Sequence, residues 1–274
     1  MAKICLGLVQ MNLGAGPEAN VARAAQALRR LRDQGATLAL LPEFFPWPWF
    51  ASSEDSRAFA RAEPEDGPTV TRMREEALRA GIAVAVPIYE RAGEHRYNTT
   101  FVLSEQGDVL LCYRKNHVPY HPGWYEKFYY ECGDRGFPVF HHRGATLGVQ
   151  TCWDNMLPEG SRILALAGAQ VILAPRASGS YSRRRWRTVL AGNALANGCF
   201  VATANRAGMD GGVEFGGDSL FAGPDGEVLA AAAGEDAELA LELDLERCTE
   251  SRAEWPLLAD RRPSLYRAIS GDGA

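Results

Sequence analysis

At 274 residues, with 46% hydrophobic and 23% charged side chains, the chain has the makeup of an ordinary soluble globular protein with room for a sizeable core. A formal net charge of -5 argues against nucleic-acid binding, and no run approaches the ~18 apolar residues that would span a membrane. Six cysteines (Cys5, Cys112, Cys132, Cys152, Cys199 and Cys248) form no C-x-x-C pair and no Cys/His metal spacing, which suits a reduced, cytoplasmic setting. The apolar part of the N-terminal MAKICLGLVQM is too short for a signal peptide and lacks a small-residue cleavage site.

In chain order, residues 4–11 alternate apolar and small side chains and read as an inner strand. Residues 17–32 place Val21, Ala24, Ala25, Leu28 and Leu31 at helical spacing, and Gly35 closes that helix. A short strand at 38–41 ends in Pro42-Glu43. The next stretch, FFPWPWF at 44–50, is broken by two prolines and must be a loop. Its Phe44, Phe45, Trp47 and Trp49 form either a pocket wall or lid, or a buried plug. A helix over 69–80 stops at Gly81. Strands follow at 82–89, 98–103 and 109–114, the last two joined by Gly107-Asp108. Residues 116–145 are rich in Pro, Gly and aromatics, with a short strand near 137–140; a long irregular stretch of this kind is usually functional.

Residues 146–151 read as a buried strand, and Pro158 with Glu159 marks a helix start that runs on to Gly168. Cys152 therefore sits at a strand-to-helix turn, where backbone N–H groups and a helix N-terminus favour thiolate. Taken alone, a single cysteine there reads first as a small buried hydrophobe, and only the rest of the chain reverses this. A strand at 170–174, a helix at 182–197 and a strand at 199–205 come next. A Gly-rich loop leads to a hairpin at 217–222 and 228–231, and a last strand spans 238–243. Arg183, Arg184, Arg185 and Arg187 form a basic cluster, read first as a solvated helix face and second as a partner or substrate contact. With no repeat or low-complexity linker, the pattern implies one α/β domain over residues 1–274, with a C-terminal tail from about residue 244.

Three polar residues close apolar strands: Glu43 after LALLP, Lys115 after VLLCYR and Cys152 after LGVQT. Layered α/β folds display reactive groups at strand ends. A carboxylate there can take a thiol proton and return it to a leaving amine, while an ammonium favours thiolate and stabilises an oxyanion. Glu126, in GWYEKF, is a further carboxylate nearby in sequence; each of these residues could also be an ordinary rim charge.

The stretches LALLPEFF, YRKNHVP, GWYEKFYYECGD and TCWDNMLPEGSR, in this order, resemble the nitrilase or carbon–nitrogen hydrolase superfamily over nearly the whole chain. The resemblance implies a four-layer α-β-β-α sandwich, assembly into a homodimer or higher homo-oligomer, and neither metal nor organic cofactor. It also implies that Cys152 is the nucleophile, Glu43 the general base, Lys115 the stabiliser of the tetrahedral intermediate, and Glu126 a supporting glutamate. The backbone N–H of Trp153 completes the oxyanion site. Within the superfamily the chain is most similar to amidases of N-carbamoyl amines, through Cys-Trp-Asp with Pro158-Glu159 and Arg162, EKFY, and the terminal ArgArgPro-x-LeuTyr.

Two departures bear on substrate: Asn155-Met156, which resembles true nitrilases, and Arg176, whose guanidinium could face a carboxylate-bearing substrate or point outward. The resulting expectation is a hydrolase for a small N-carbamoyl amine, N-carbamoyl amino acid or amide, acting through a thioester. A nitrilase is the alternative within the class, and a catalytically silent binding or scaffold protein the alternative outside it. Trp47, Tyr120, His121, Trp124, Trp153, Asp154 and Arg176 are the expected substrate contacts, joined by Trp49 and Tyr181. A small-molecule substrate is expected, with no nucleic-acid or membrane partner.

Overall fold

Alternation along the strands gives each of them two apolar faces, and the architecture follows from covering both. The computed structural model describes residues 3–270. Its first half runs β1 (Lys3–Gln10), α1 (Pro17–Asp33), β2 (Leu38–Leu40), α2 (Pro68–Ala80), β3 (Ala83–Ala92), β4 (His95–Leu103) and β5 (Val109–Arg114). There follow α3 (Glu126–Tyr129), β6 (Val139–His142), β7 (Ala145–Val149), α4 (Pro158–Leu166), β8 (Val171–Arg176), α5 (Arg183–Asn197) and β9 (Phe200–Asn205). Next come β10 (Ala207–Asp210), β11 (Val213–Gly216), β12 (Leu220–Ala222), β13 (Val228–Ala231), β14 (Ala237–Asp244), α6 (Glu246–Glu254) and the single turn α7 (Arg267–Ser270).

Two six-stranded sheets result, ordered β14-β1-β2-β3-β4-β5 and β13-β12-β9-β8-β7-β6. Their centres are parallel, β1-β2-β3 in one and β7-β8-β9 in the other, with antiparallel strands outside. The strand period of two decides which face each residue takes. Leu6, Leu8, Leu38 and Leu40 meet Leu147, Val149, Val171 and Leu173 in one core between the sheets. The alternate residues Val9, Ala39 and Val84 turn outward onto Leu28 and Leu31 of α1 and Met73 of α2. On the far side Ile172 and Ala174 pack against Leu164 of α4 and Leu190 of α5. The layers are therefore α-β-β-α. Gly148 lets α4 lie this close: a Cβ there would stand 2.4 Å from Leu164 Cδ2.

Three local features differ from the sequence reading. β3 and β4 extend to Ala92 and from His95, beyond the expected ends, because Glu90 is buried against Arg114 instead of turning to solvent. The Gly-rich stretch after β9 holds a second hairpin, β10–β11. Between β7 and α4 a 3-10 turn, Cys152–Met156, stands where no element was expected, while α4 starts at Pro158 as the sequence indicates.

Candidate active site

Glu43, Lys115 and Cys152 follow β2, β5 and β7, and Glu126 opens the single turn α3. Glu43, Lys115 and Glu126 are fully buried and Cys152 nearly so. Lys115 Nζ donates to Glu43 Oε1 at 2.9 Å and to Glu126 Oε2 at 2.5 Å. Asn98 Nδ2 donates to the same Glu43 oxygen at 2.6 Å, fixing that carboxylate from β4. Glu43 Oε2 and Glu126 Oε1 have no hydrogen-bond partner among the described residues. One ammonium thus holds two carboxylates by one oxygen each and leaves the other pair able to accept a proton. Burial pushes the Glu126 carboxyl up, to about 8, against the pull of Lys115.

The thiol is set by backbone geometry. Cys152 has φ +45°, a left-handed conformation that costs a residue with a side chain about 1 kcal/mol or more and is met mainly at functional turns. Its Sγ donates to Ala177 O at 3.4 Å. Burial, then the Glu43 charge, push the thiol well above its usual range, and Lys115 offsets only part of this. Burial and the Glu43 charge thus favour the neutral thiol, against the thiolate that the turn and the ammonium favour. Such a thiol attacks only if a base takes its proton in the same step.

Cys152 and Glu126 line a cavity of about 410 Å³ with His121, Trp124, Trp153 and Tyr181, which the sequence reading placed there. Ser178, Met156, Arg185 and Trp186 are also on its wall.

A family model described as "Carbon-nitrogen hydrolase" matches residues 5–253. The chain belongs to the carbon–nitrogen hydrolase family. It is 38% identical over 267 residues to an N-carbamoylputrescine amidase of Solanum tuberosum, covering 91% of this chain and 89% of that one. It is 31% identical to a citrullinase of Francisella tularensis, covering 98% and 99% of the two chains. The crystal structure of a carbon–nitrogen hydrolase from Helicobacter pylori G27 superposes with a TM-score of 0.94 at 30% identity, over 98% of this chain and 99% of that one.

Four residues expected at the substrate of such a hydrolase stand elsewhere. Trp47 lines a separate cavity with Pro17, Arg61 and Pro68, its ring under the Arg61 guanidinium. Tyr120 is 53% exposed and donates to Glu54 outside the cavity wall. Asp154 is a bracket: Tyr113 OH donates to Oδ2 at 2.5 Å, and the backbone and ring of His117 reach Oδ1, each at 2.8 Å. It ties the turn bearing Cys152 to the loop after β5, and its hydrogen bond, then its charge, raises the His117 pKa. Arg176 is buried behind the cavity, neither in it nor on the surface. Its guanidinium donates to Thr203 Oγ1, Ser178 Oγ and the carbonyls of Gly217 and Asp218, and burial lowers its pKa to about 10. Through Ser178 it holds the loop whose Ala177 carbonyl receives the thiol. Asn155 likewise turns inward, bonding Gln150 O and Cys152 O.

The aromatic loop is mainly a plug, with Phe44, Phe45 and Trp49 buried; Trp49 backs the cavity only through Trp124, at 4.9 Å between ring centroids. A residue that the sequence did not point to holds this loop. Arg206, fully buried, donates to the carbonyls of Glu43 (3.2 Å), Phe44 (3.3 Å) and Trp47 (2.9 Å), and pairs with Asp210. Replacing Arg206 by Leu orphans three carbonyls and a buried carboxylate, and is expected to cost about 3–5 kcal/mol in chemical denaturation. Adding Asp210→Leu should return part of that loss, since the uncompensated charge is then gone. A single variant as stable as the native protein would contradict the assignment.

Proposed function

We propose that the protein hydrolyses the C–N bond of a small N-carbamoyl amine, N-carbamoyl amino acid or amide. One observation carries this reading: a single buried ammonium grips two carboxylates, and the neutral thiol that feels all three opens into a cavity of small-molecule size. Cys152 Sγ attacks the carbonyl carbon as Glu43 Oε2 takes its proton. Lys115 and the backbone N–H of Trp153 stabilise the oxyanion. Glu43 returns the proton to departing ammonia, leaving a thioester on Cys152. Water, deprotonated by Glu43, then releases the product, and a carbamoyl substrate gives the free amine and carbon dioxide. Glu126 keeps the Lys115 ammonium in place.

The relatives named for carbamoylputrescine and citrulline support the carbamoyl class. Asn155, the feature that favoured the nitrilase alternative, serves the backbone of the turn and does not separate the two readings, so product analysis decides between them. Ammonia release across carbamoyl amines, carbamoyl amino acids, amides and nitriles is the test. Turnover of ureas or amides is expected; acid and ammonia from nitriles alone would overturn the reading.

A homo-oligomer fits the surface of the second sheet's helices. Ile163 and Leu166 of α4, Leu195 of α5, and Trp255 and Leu265 of the tail are exposed, and Arg162 of α4 feels Arg261 and Tyr266 of the tail. Large exposed apolar groups on these elements suit a second copy. Sedimentation velocity should give a dimer or larger; a monomer at micromolar concentration would exclude it.

A further inference from the structure

The walls of the cavity carry almost no charge, and the exceptions are unequal. Glu126 is bound to Lys115 and lies at the reacting end beside Cys152. Arg185, near the start of α5, is the other formal charge on the wall. Two of its three neighbours in the arginine run are engaged: Arg183 donates to Gly216 O at 2.9 Å, and Arg187 pairs with Asp218, while Arg184 lies off this wall. Arg185 has no ion pair among the described residues, and it also lines the adjoining groove with Met156, Arg184 and Thr188. The nearby carboxylates are outside the wall and occupied: Glu54 accepts from Tyr120 and Glu214 from Ser180 Oγ at 2.8 Å. A substrate whose carbonyl sits at Cys152 therefore shares its cavity with an unpaired guanidinium and no free carboxylate.

From this we infer that Arg185 selects the substrate: its preferred ureido compound carries a carboxylate on the far end of its chain, not an ammonium. The inference rests on the hydrolase reading above. The guanidinium gives a carboxylate a charge-assisted bond and repels a terminal ammonium in the same place.

The test compares kcat/KM, from ammonia release, for three matched ureas at each spacer length from two to five carbons: one ending in carboxylate, one in ammonium, one in methyl. The expected order is carboxylate over methyl by about tenfold at the best spacer, with ammonium last. Arg185→Gln should bring the carboxylate-to-methyl ratio near one, Arg185→Lys should keep part of it, and Arg185→Glu should reverse the carboxylate-to-ammonium order. Ratios measured within one sample cancel any loss of folded protein. Preference for the ammonium series in the native protein, or ratios unmoved by Arg185→Glu, would overturn the inference while leaving the hydrolase intact. No ammonia from any of the ureas would overturn this inference; the hydrolase reading falls with it only if amides release none either.

Discussion

Cys152→Ala is expected to lower ammonia release about 10⁴-fold or more while shifting the unfolding free energy by no more than about 1 kcal/mol. The large effect follows because Cys152 is the one thiol among the described residues that line the cavity. The other five cysteines lie off the cavity wall, and their contributions to nucleophilic attack are nil. The small stability effect follows from what the side chain touches. Its one polar contact is a weak thiol donation to Ala177 O, and alanine keeps the Cβ at the same φ +45°. Removing a thiol that burial and Glu43 already hold neutral takes no charge out of the site. Ammonia release and urea denaturation on the same preparation check both halves. Turnover within tenfold of the native protein would take Cys152 out of the mechanism.

The catalytic positions were legible because each terminates an apolar run. Glu43, Lys115 and Cys152 stand one to three residues past strands whose alternation is plain, and a sheet carries such positions to a common edge. The wall residues were less legible, because a loop side chain's direction is decided by what packs on it. Trp47 and Trp49, two residues apart, part ways: one faces Arg61, the other is pinned through its backbone N–H to Asp210. Arg176 was readable in principle. It continues β8 past the expected end at 174, in phase with Ile172 and Ala174, and so turns to the helix side, over the Trp186 ring. Arg206 gave no signal, since its three acceptors are main-chain carbonyls some 160 residues away. The arginine cluster shows the limit from the other side. Composition marks it as solvated, and only the fold turns Arg185 alone toward the cavity.

Lys115→Met should be both inactive and unstable, and its stability should depend on pH in a defined direction. Without the ammonium, Glu43 and Glu126 are two buried carboxylates with no cation between them; breaking a buried pair in this way costs about 3–5 kcal/mol. Burial and mutual repulsion then raise both carboxyls above the roughly 4.3 of an unfolded chain. The native protein already shows the tendency at Glu126, pushed to about 8 with Lys115 present. A carboxyl raised in the folded state binds a proton that the unfolded chain has lost. Its stabilising contribution is complete below the unfolded value and disappears as pH rises through the folded one. The deficit of Lys115→Met relative to the native protein should therefore widen from pH 5 to pH 8 in urea denaturation. Adding Glu126→Gln should narrow it by removing one of the two charges. Turnover should stay about 10²–10³-fold down in both variants, because no cation remains to meet the oxyanion. A deficit equal at both pH values would mean that the two carboxylates are not held apart from water, and the buried ammonium would no longer be what assembles this site.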